Sequence, residues 1–292
     1  MRRVTSALWL CMVGLLAALL LVWAHPVGRD SGMLNEGWNG MSTASAVLEA
    51  VPLESYDQLA DAPTPATLVL IPRLPVSEAR LVVLETFVAS GGTLVLLDDY
   101  SFGNDVLARL GVDVRLHGGT LQDPLYCHRT PSMPRVELSH TDPALEPGAL
   151  VLNHATWLQV GHGVDVWAWS SYFSYGDVND DGSRGRNEPS GPLPVGAAVS
   201  CGAGRVVVVA DSSLLLNSMV ELGENVEAIA RFTRGDVLFD QVHVPEAEMD
   251  RGKGALEMIR GALGGGIGVL SFVLLACGLA VGYAWYNRGR YE

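Results

Sequence analysis

The stretch DVNDDGSRGRNE, residues 177–188, carries oxygen-bearing side chains at the spacing D-x-[DN]-x-[DN]-G-x5-E. Asp177, Asn179 and Asp181 hold the first three ligand positions, and Gly182 sits where the loop must turn sharply. Ser183 would offer its backbone carbonyl, and Glu188 would close the ring with two oxygens. Hard oxygen donors converging from one short loop suit Ca²⁺. A strand candidate precedes the loop and PSGPLPVG follows it, so the pattern does not predict an EF-hand. Arg184 and Arg186 reduce the local negative charge. The expectation is a structural Ca²⁺ clamp with a Kd on the order of 10⁻⁴–10⁻³ M.

Other chemistry-bearing residues are more scattered. Asp98, Asp99 and Asp211 fall at the carboxyl ends of expected parallel strands, the edge where open α/β sheets bind ligands. They read either as a polar-ligand or metal site or as caps of the next turn. Ser101 and Ser212 beside them lie in no G-x-S-x-G elbow. Cys127 and His128 are chain neighbours in PLYCHRTP and seldom face each other productively. In DQVHVPE, a continued strand would put Asp240 and His243 on opposite faces, so these and Glu246 read as solvated residues at a strand end.

These positions depend on a framework of short apolar runs. ATLVLIP (66–72) and TLVLLDD (93–99) read as buried strands, with a helix in VSEARLVVLETFVASGG (76–92) between them. The helix ends at the Gly91-Gly92 pair. A short helix is expected in 102–112 and a first one from Ser42 to Val51. The pattern returns with a strand at 205–210, a helix at 224–233 and a strand at 237–244. Residues 113–200 read as shorter strands and loops, with 163–176 the strongest strand candidate. Strands that are apolar throughout point to a mostly parallel sheet covered on both faces.

LVLIPRLPVSEARLVVLETFVASGGTLVLLDD resembles the front half of the domain-of-unknown-function 4350 (DUF4350) proteins. GRVVVVADSSLLLNSMVELGENVEAIARF with VLFDQVHVPE resembles their second half, and the likeness covers roughly residues 30–250. It implies a Rossmann-like fold of the class I glutamine amidotransferase and gliding-motility type, held between membrane anchors. It also implies a family without an established activity, with an accessory role beside a membrane ATPase system. An amidotransferase needs a Cys nucleophile on the turn after a strand; the turn after 93–99 reads DDYSFGND and has none. The resemblance therefore carries the fold and not the nucleophile, and the chain reads as non-enzymatic.

Two uncharged apolar runs flank this framework, 7–24 and 261–286. Each is long enough to cross a bilayer, and Arg2, Arg3, Arg288 and Arg290 at their outer ends place both termini in the cytoplasm. The sequence thus predicts a two-pass cell-membrane protein. Residues 1–6 and 287–292 would be cytoplasmic and 25–255 extracytoplasmic, and a cleaved signal peptide is the alternative for 7–24. Gly264/Gly268 and Gly278/Gly282 form small-xxx-small pairs that would allow dimerisation. Residues 26–255 hold 14 Lys and Arg against 30 Asp and Glu, which argues against nucleic acid as a partner. In an exported domain Cys127 and Cys201 could pair as a disulfide. The leading expectation is a membrane-anchored binding or accessory domain with a calcium loop and an unidentified protein partner. The alternatives are a hydrolase-like enzyme using the carboxyl-edge acids and a subunit of a membrane complex.

Overall fold

A computed structural model describes residues 29–62, 64–139 and 148–244, together with Trp9, Val13, Gly14 and Leu19. Arg29–Pro245 forms one compact unit; residues 1–28 and 246–292 are grouped apart from it.

Every residue of β2 (Ala66–Leu70) and of β3 (Thr93–Leu97) is buried, as continuous apolar strands require when both sheet faces are covered. Before them come α1 (Ser42–Val47), the short β1 (Val51–Leu53) and α2 (Asp57–Ala60). Between them runs α3 (Glu78–Ala89), which buries Leu81, Leu84, Phe87 and Val88 along one face. Gly91, with φ of 113°, ends this helix, and a Cβ on Gly92 would strike the Phe87 ring at 2.5 Å. After β3 come α4 (Asn104–Arg109), β4 (Val114–Leu116), β5 (Thr120–Gln122), β6 (Arg135–Leu138), β7 (Ala149–Val151) and β8 (Leu158–Val160). The chain continues through β9 (Asp165–Trp169), β10 (Tyr175–Asp177), β11 (Pro194–Cys201), β12 (Gly204–Val209), α5 (Asn225–Ala230) and β13 (Asp236–Asp240).

Nine of these strands form one sheet in the order β1-β13-β2-β3-β12-β11-β9-β6-β7. The pairings from β1 to β12 are parallel, and those from β12 to β7 are antiparallel. The expected mostly parallel, amidotransferase-type sheet is thereby corrected to a mixed, sheet-dominated α/β fold. The reason lies in residues 113–201, whose strands β6, β7, β9 and β11 all join the sheet antiparallel. β6 alternates exposed and buried residues, the signature of a strand with one wet face. Two small ribbons, β10-β5 and β4-β8, stand outside the main sheet.

Both edges of the sheet are blunted. On β1 the central residue is Pro52, which has no N–H to offer an incoming strand. Along β7, the buried Asn225 side chain accepts from Val151 N (3.0 Å) and donates to Val151 O (2.9 Å), standing where another strand would pair.

The two-pass arrangement, with flanking transmembrane helices and an extracytoplasmic 25–255, is also corrected. Among the described residues no helix is long and apolar enough to cross a membrane. The longest, α3, has 12 residues. At 1.5 Å per residue that is about 18 Å, against roughly 30 Å of hydrocarbon. The expected spans at 7–24 and 261–286, apart from Trp9, Val13, Gly14 and Leu19, lie outside the described residues. So do Gly264/Gly268 and Gly278/Gly282. Cys127 and Cys201, whose pairing the sequence left open, are both free thiols.

Candidate functional site

Adjacent parallel strands β3 and β12 deliver their following residues to one sheet edge, since Leu97 pairs with Val209. Asp98, Asp99 and Asp211 therefore arrive side by side, but in different roles. Asp98 is fully buried and accepts backbone N–H bonds from Tyr100 (2.7 Å) and Gly103 (2.5 Å), so it closes the turn into α4. Burial pushes its carboxyl up to about 6 even against those bonds. Asp211 is likewise fully buried. One oxygen accepts from Ser213 N (2.7 Å) and Ser213 Oγ (2.6 Å), the other from Asn153 N (2.8 Å). Burial first, and then the charge of Asp99, pushes Asp211 up to about 7.

Asp99 is the member with unused capacity. Its Oδ1 is buried and has no hydrogen-bond partner. Burial raises its carboxyl, while the Ser212 hydroxyl, Arg73 and His154 act in the opposite direction. Arg73 follows β2 on the same edge. Its Nη2 donates to Ser31 Oγ (2.8 Å), and its guanidinium lies 5.6 Å from the centre of the Tyr100 ring. Its Nε is buried without a partner. Trp167 Nε1 is the remaining buried, unpartnered side-chain atom among the described residues. Unpaired buried polar atoms are uncommon and mark stored strain, ordered water or a ligand position. The backbone is also strained here: Ser31, Ser101 and His154 have φ of 61°, 70° and 51°.

Sequence reasoning placed the three acids at this edge but missed Arg73, Ser31 and His154. Arg73 was the findable one, as the first basic residue after the run ATLVLIP.

The acidic loop follows β10. Asp177 is buried and accepts from Asp181 N (3.2 Å) and Gly182 N (2.8 Å). Asn179 Nδ2 donates to Asp181 Oδ2 (2.9 Å), and Ser183 N donates to Asp181 Oδ1 (2.8 Å). Glu188 accepts from Val178 N (2.9 Å) and Gly185 N (2.6 Å). The loop thus closes on its own backbone. Among the described residues no three His, Cys, Asp or Glu side chains group so as to hold a metal. A cavity of about 500 Å³ opens between the far end of this loop, at Arg186–Pro189, and His117, which stacks on Trp157.

Asp240 and His243, expected on opposite faces and in solvent, instead meet in the interior. β13 stops at Asp240 and the chain turns, so His243 Nδ1 lies 2.5 Å from Asp240 Oδ2. His243 Nε2 then faces Arg80 Nη1 at 3.2 Å. The Tyr56 ring packs edge-on against the imidazole, and burial followed by Asp240 drives its phenol well above the usual range. Asp240 thereby fixes the ring orientation. Glu246 lies outside the described residues. Cys127 sits across from Pro134 in an isolated bridge.

Residues 33–233 match the family described as Domain of unknown function (DUF4350). No curated protein matches the chain. Among solved structures, the mmIFT52 N-terminal domain is similar with 13% identity and a TM-score of 0.47, covering 60% of this chain and 77% of that one. A β-galactosidase from Bacillus circulans sp. alkalophilus is 16% identical with a TM-score of 0.35; the match covers 57% of this chain and 23% of the galactosidase. A cytoplasmic protein from Salmonella typhimurium LT2 is 14% identical with a TM-score of 0.35, covering 58% of this chain and 68% of that one. The match over residues 33–233 spans more than half of the sequence, and the chain belongs to the domain-of-unknown-function 4350 family.

Proposed function

We propose that this chain is a non-enzymatic binding domain whose ligand site is the carboxyl edge around Arg73 and Asp99. The observation that carries the reading is the buried acceptor Asp99 Oδ1 and the buried donor Arg73 Nε, both without a partner, at one edge. A ligand offering a donor and an acceptor would satisfy both and recover the desolvation cost of each, about 1–3 kcal/mol. The opposite charges of Arg73 and Asp99 offset each other, which favours a neutral or zwitterionic molecule. His154, exposed at the same edge, is available as a further contact.

The test is a thermal-shift screen of the full chain against neutral and zwitterionic metabolites. Asp99→Asn is expected to weaken any hit by about 10–100-fold, the worth of a charge-assisted bond. Hits that bind Asp99→Asn and Arg73→Met as tightly as the parent would sink the proposal.

A second reading is acid–base chemistry by the Asp99–Asp211 pair, favoured by the rise of Asp211 to about 7. It is weaker, because both oxygens of Asp211 are already committed to Asn153 and Ser213.

For the loop we propose a weak Ca²⁺ site at Asp177, Asn179, Asp181, Ser183 and Glu188. The ligand spacing supports it, as does Gly182 with φ of 72° at the sharp turn. Calorimetry should give a Kd on the order of 10⁻⁴–10⁻³ M for the parent and no heat for Asp177→Ala. A silent parent at millimolar Ca²⁺ rules the site out.

A further inference from the structure

The cavity of about 500 Å³ beside the acidic loop shares no lining residue with the carboxyl edge. Its volume lies in the range of small-molecule sites, roughly 300–1,000 Å³. One wall is the β4–β8 ribbon, in which Leu116 pairs with Leu158. This ribbon brings Trp157, Leu158 and Gln159 to the cavity beside His117, whose N donates to Trp157 O (3.1 Å). The indole is pinned. A Cβ on Gly119 or Gly176 would come within 2.8 or 2.5 Å of its ring, and His117 stacks on it with centroids 4.1 Å apart. Leu193, anchored by its N donating to Ser170 Oγ (2.7 Å), completes the floor. Trp157, Leu158 and Leu193 are all buried, so the floor is apolar and rigid.

The facing wall, residues 186–189, carries two opposite charges that do not neutralise each other. Glu188 is committed to the backbone: Oε1 accepts from Val178 N (2.9 Å) and Oε2 from Gly185 N (2.6 Å). Each oxygen keeps a further lone pair for a donor. Arg186 stands two residues away and is exposed, yet it makes no ion pair with Glu188. Among the described residues the side chains of Arg186, Asn187 and Gln159 have no hydrogen-bond partner. The loop's other arginine is occupied, since Arg184 Nη2 donates to Ser190 Oγ. One cation and one anion, fixed apart above an apolar floor, therefore line a single cavity.

We infer that this cavity binds a free amino acid with a large apolar side chain. The side chain rests on Trp157, Leu158 and Leu193, the α-carboxylate pairs with Arg186, and the α-ammonium donates to Glu188. Asn187 and Gln159, in the same lining, are further donors to the carboxylate. Charge selects this class over others. A polyanion would meet Glu188 together with Asp177 and Asp181 of the same loop. A neutral sugar or a hydrocarbon would leave both charges of the wall without a counter-charge. The site is separate from the Arg73–Asp99 edge and does not depend on it. Ca²⁺ at the loop would draw on the same Glu188 oxygens, so the amino acid is tested in EDTA.

The experiment is calorimetric titration of the full chain with L-phenylalanine and L-leucine. Their des-amino analogues phenylpropionate and isocaproate, their decarboxylated analogues phenylethylamine and isoamylamine, and glycine are titrated alongside. The expected result is binding of at least one of the two amino acids, with its analogues and glycine each at least about tenfold weaker. Arg186→Met should weaken the amino acid by about 10–100-fold and bring it level with its decarboxylated analogue. Because Arg186 is exposed and unpartnered, this variant should melt with the parent, which scanning fluorimetry verifies. No heat from either amino acid overturns the inference, as does an analogue or glycine that binds equally well. Amino-acid binding unchanged in Arg186→Met also overturns it. If that binding is lost in Arg73→Met, the amino acid belongs to the carboxyl edge, and the edge reading stands while the cavity falls.

Discussion

Asp211→Ala should lower the unfolding free energy by about 3 kcal/mol at pH 6, read from urea midpoints at unchanged m. The substitution orphans two backbone donors at once, Asn153 N and Ser213 N, while Ser213 Oγ keeps Asn153 O (3.2 Å) as an acceptor. Each unpaired donor costs about 1–3 kcal/mol. Part of that is returned, because a carboxyl that burial has already driven up to about 7 no longer has to be desolvated. Asp211→Asn keeps the volume and one acceptor oxygen, so it should lose less than the alanine. A loss below 1 kcal/mol for Asp211→Ala would mean that these bonds do not hold the edge. The loss should also reach the ligand site, since Asn153 precedes His154 and is tied to Ser213 through Nδ2 (3.3 Å).

Acidification from pH 8 to pH 5 should stabilise the fold, the reverse of the usual behaviour of paired carboxylates. Asp98 and Asp211 have folded-state values of about 6 and about 7, both above the 3.8 of a free side chain. Between roughly pH 4 and pH 7 the folded state therefore binds more protons than the unfolded state. Stability then falls as pH rises through that window. The contribution is fully present below the unfolded value and is lost above the folded one. Asp98 alone accounts for on the order of 3 kcal/mol across its window, at 1.36 kcal/mol per pKa unit. The self-repulsion of a net charge of −13 also eases on acidification, in the same direction. Asp98→Asn separates the two causes, because it removes the titration and leaves most of the repulsion. Calorimetric melts at pH 8, 7, 6 and 5 should climb steeply for the parent and less steeply for this variant. A parent whose melting temperature falls steadily toward pH 5 contradicts the assignment.

The parallel half was legible because its signals are local. Short, mainly apolar runs gave β2, β3 and β12 within a residue or two, and the i, i+3, i+7 spacing of Leu81, Leu84 and Val88 gave α3. Turn chemistry was legible too, with Gly91 in the positive-φ position that the end of α3 requires. The antiparallel half was not, because β6 and β7 have three or four residues each and owe their existence to partners elsewhere in the chain. The pairing of Asp240 with His243 was hidden for a different reason. Strand periodicity was extended past Asp240, where Val242 N bonding to Asp240 Oδ1 (2.9 Å) shows the chain already turning. At the candidate site, the acids were placed by strand ends, whereas the unpaired state of Asp99 Oδ1 and Arg73 Nε depends on side chains from several segments. No spacing rule within one segment reports that.

β12 belongs to both halves of the sheet, and this sets an order of assembly. With β11 it is joined by the two residues Gly202 and Ala203, and Gly202 has φ of 59°. A hairpin of that kind closes in about 1–10 μs with no help from the rest of the molecule. With β3 it pairs across roughly a hundred residues of intervening chain, a far costlier loop to close. The hairpin is therefore the natural early event, and it presents a ready-made edge onto which β3, then β2 and β13, can zip. Chain order runs the other way, since β2 and β3 leave the ribosome first. Until the hairpin is made, β3 lacks its β12 neighbour and the buried β2–β3 pair has an open edge, so the nascent chain is at its most aggregation-prone over that interval.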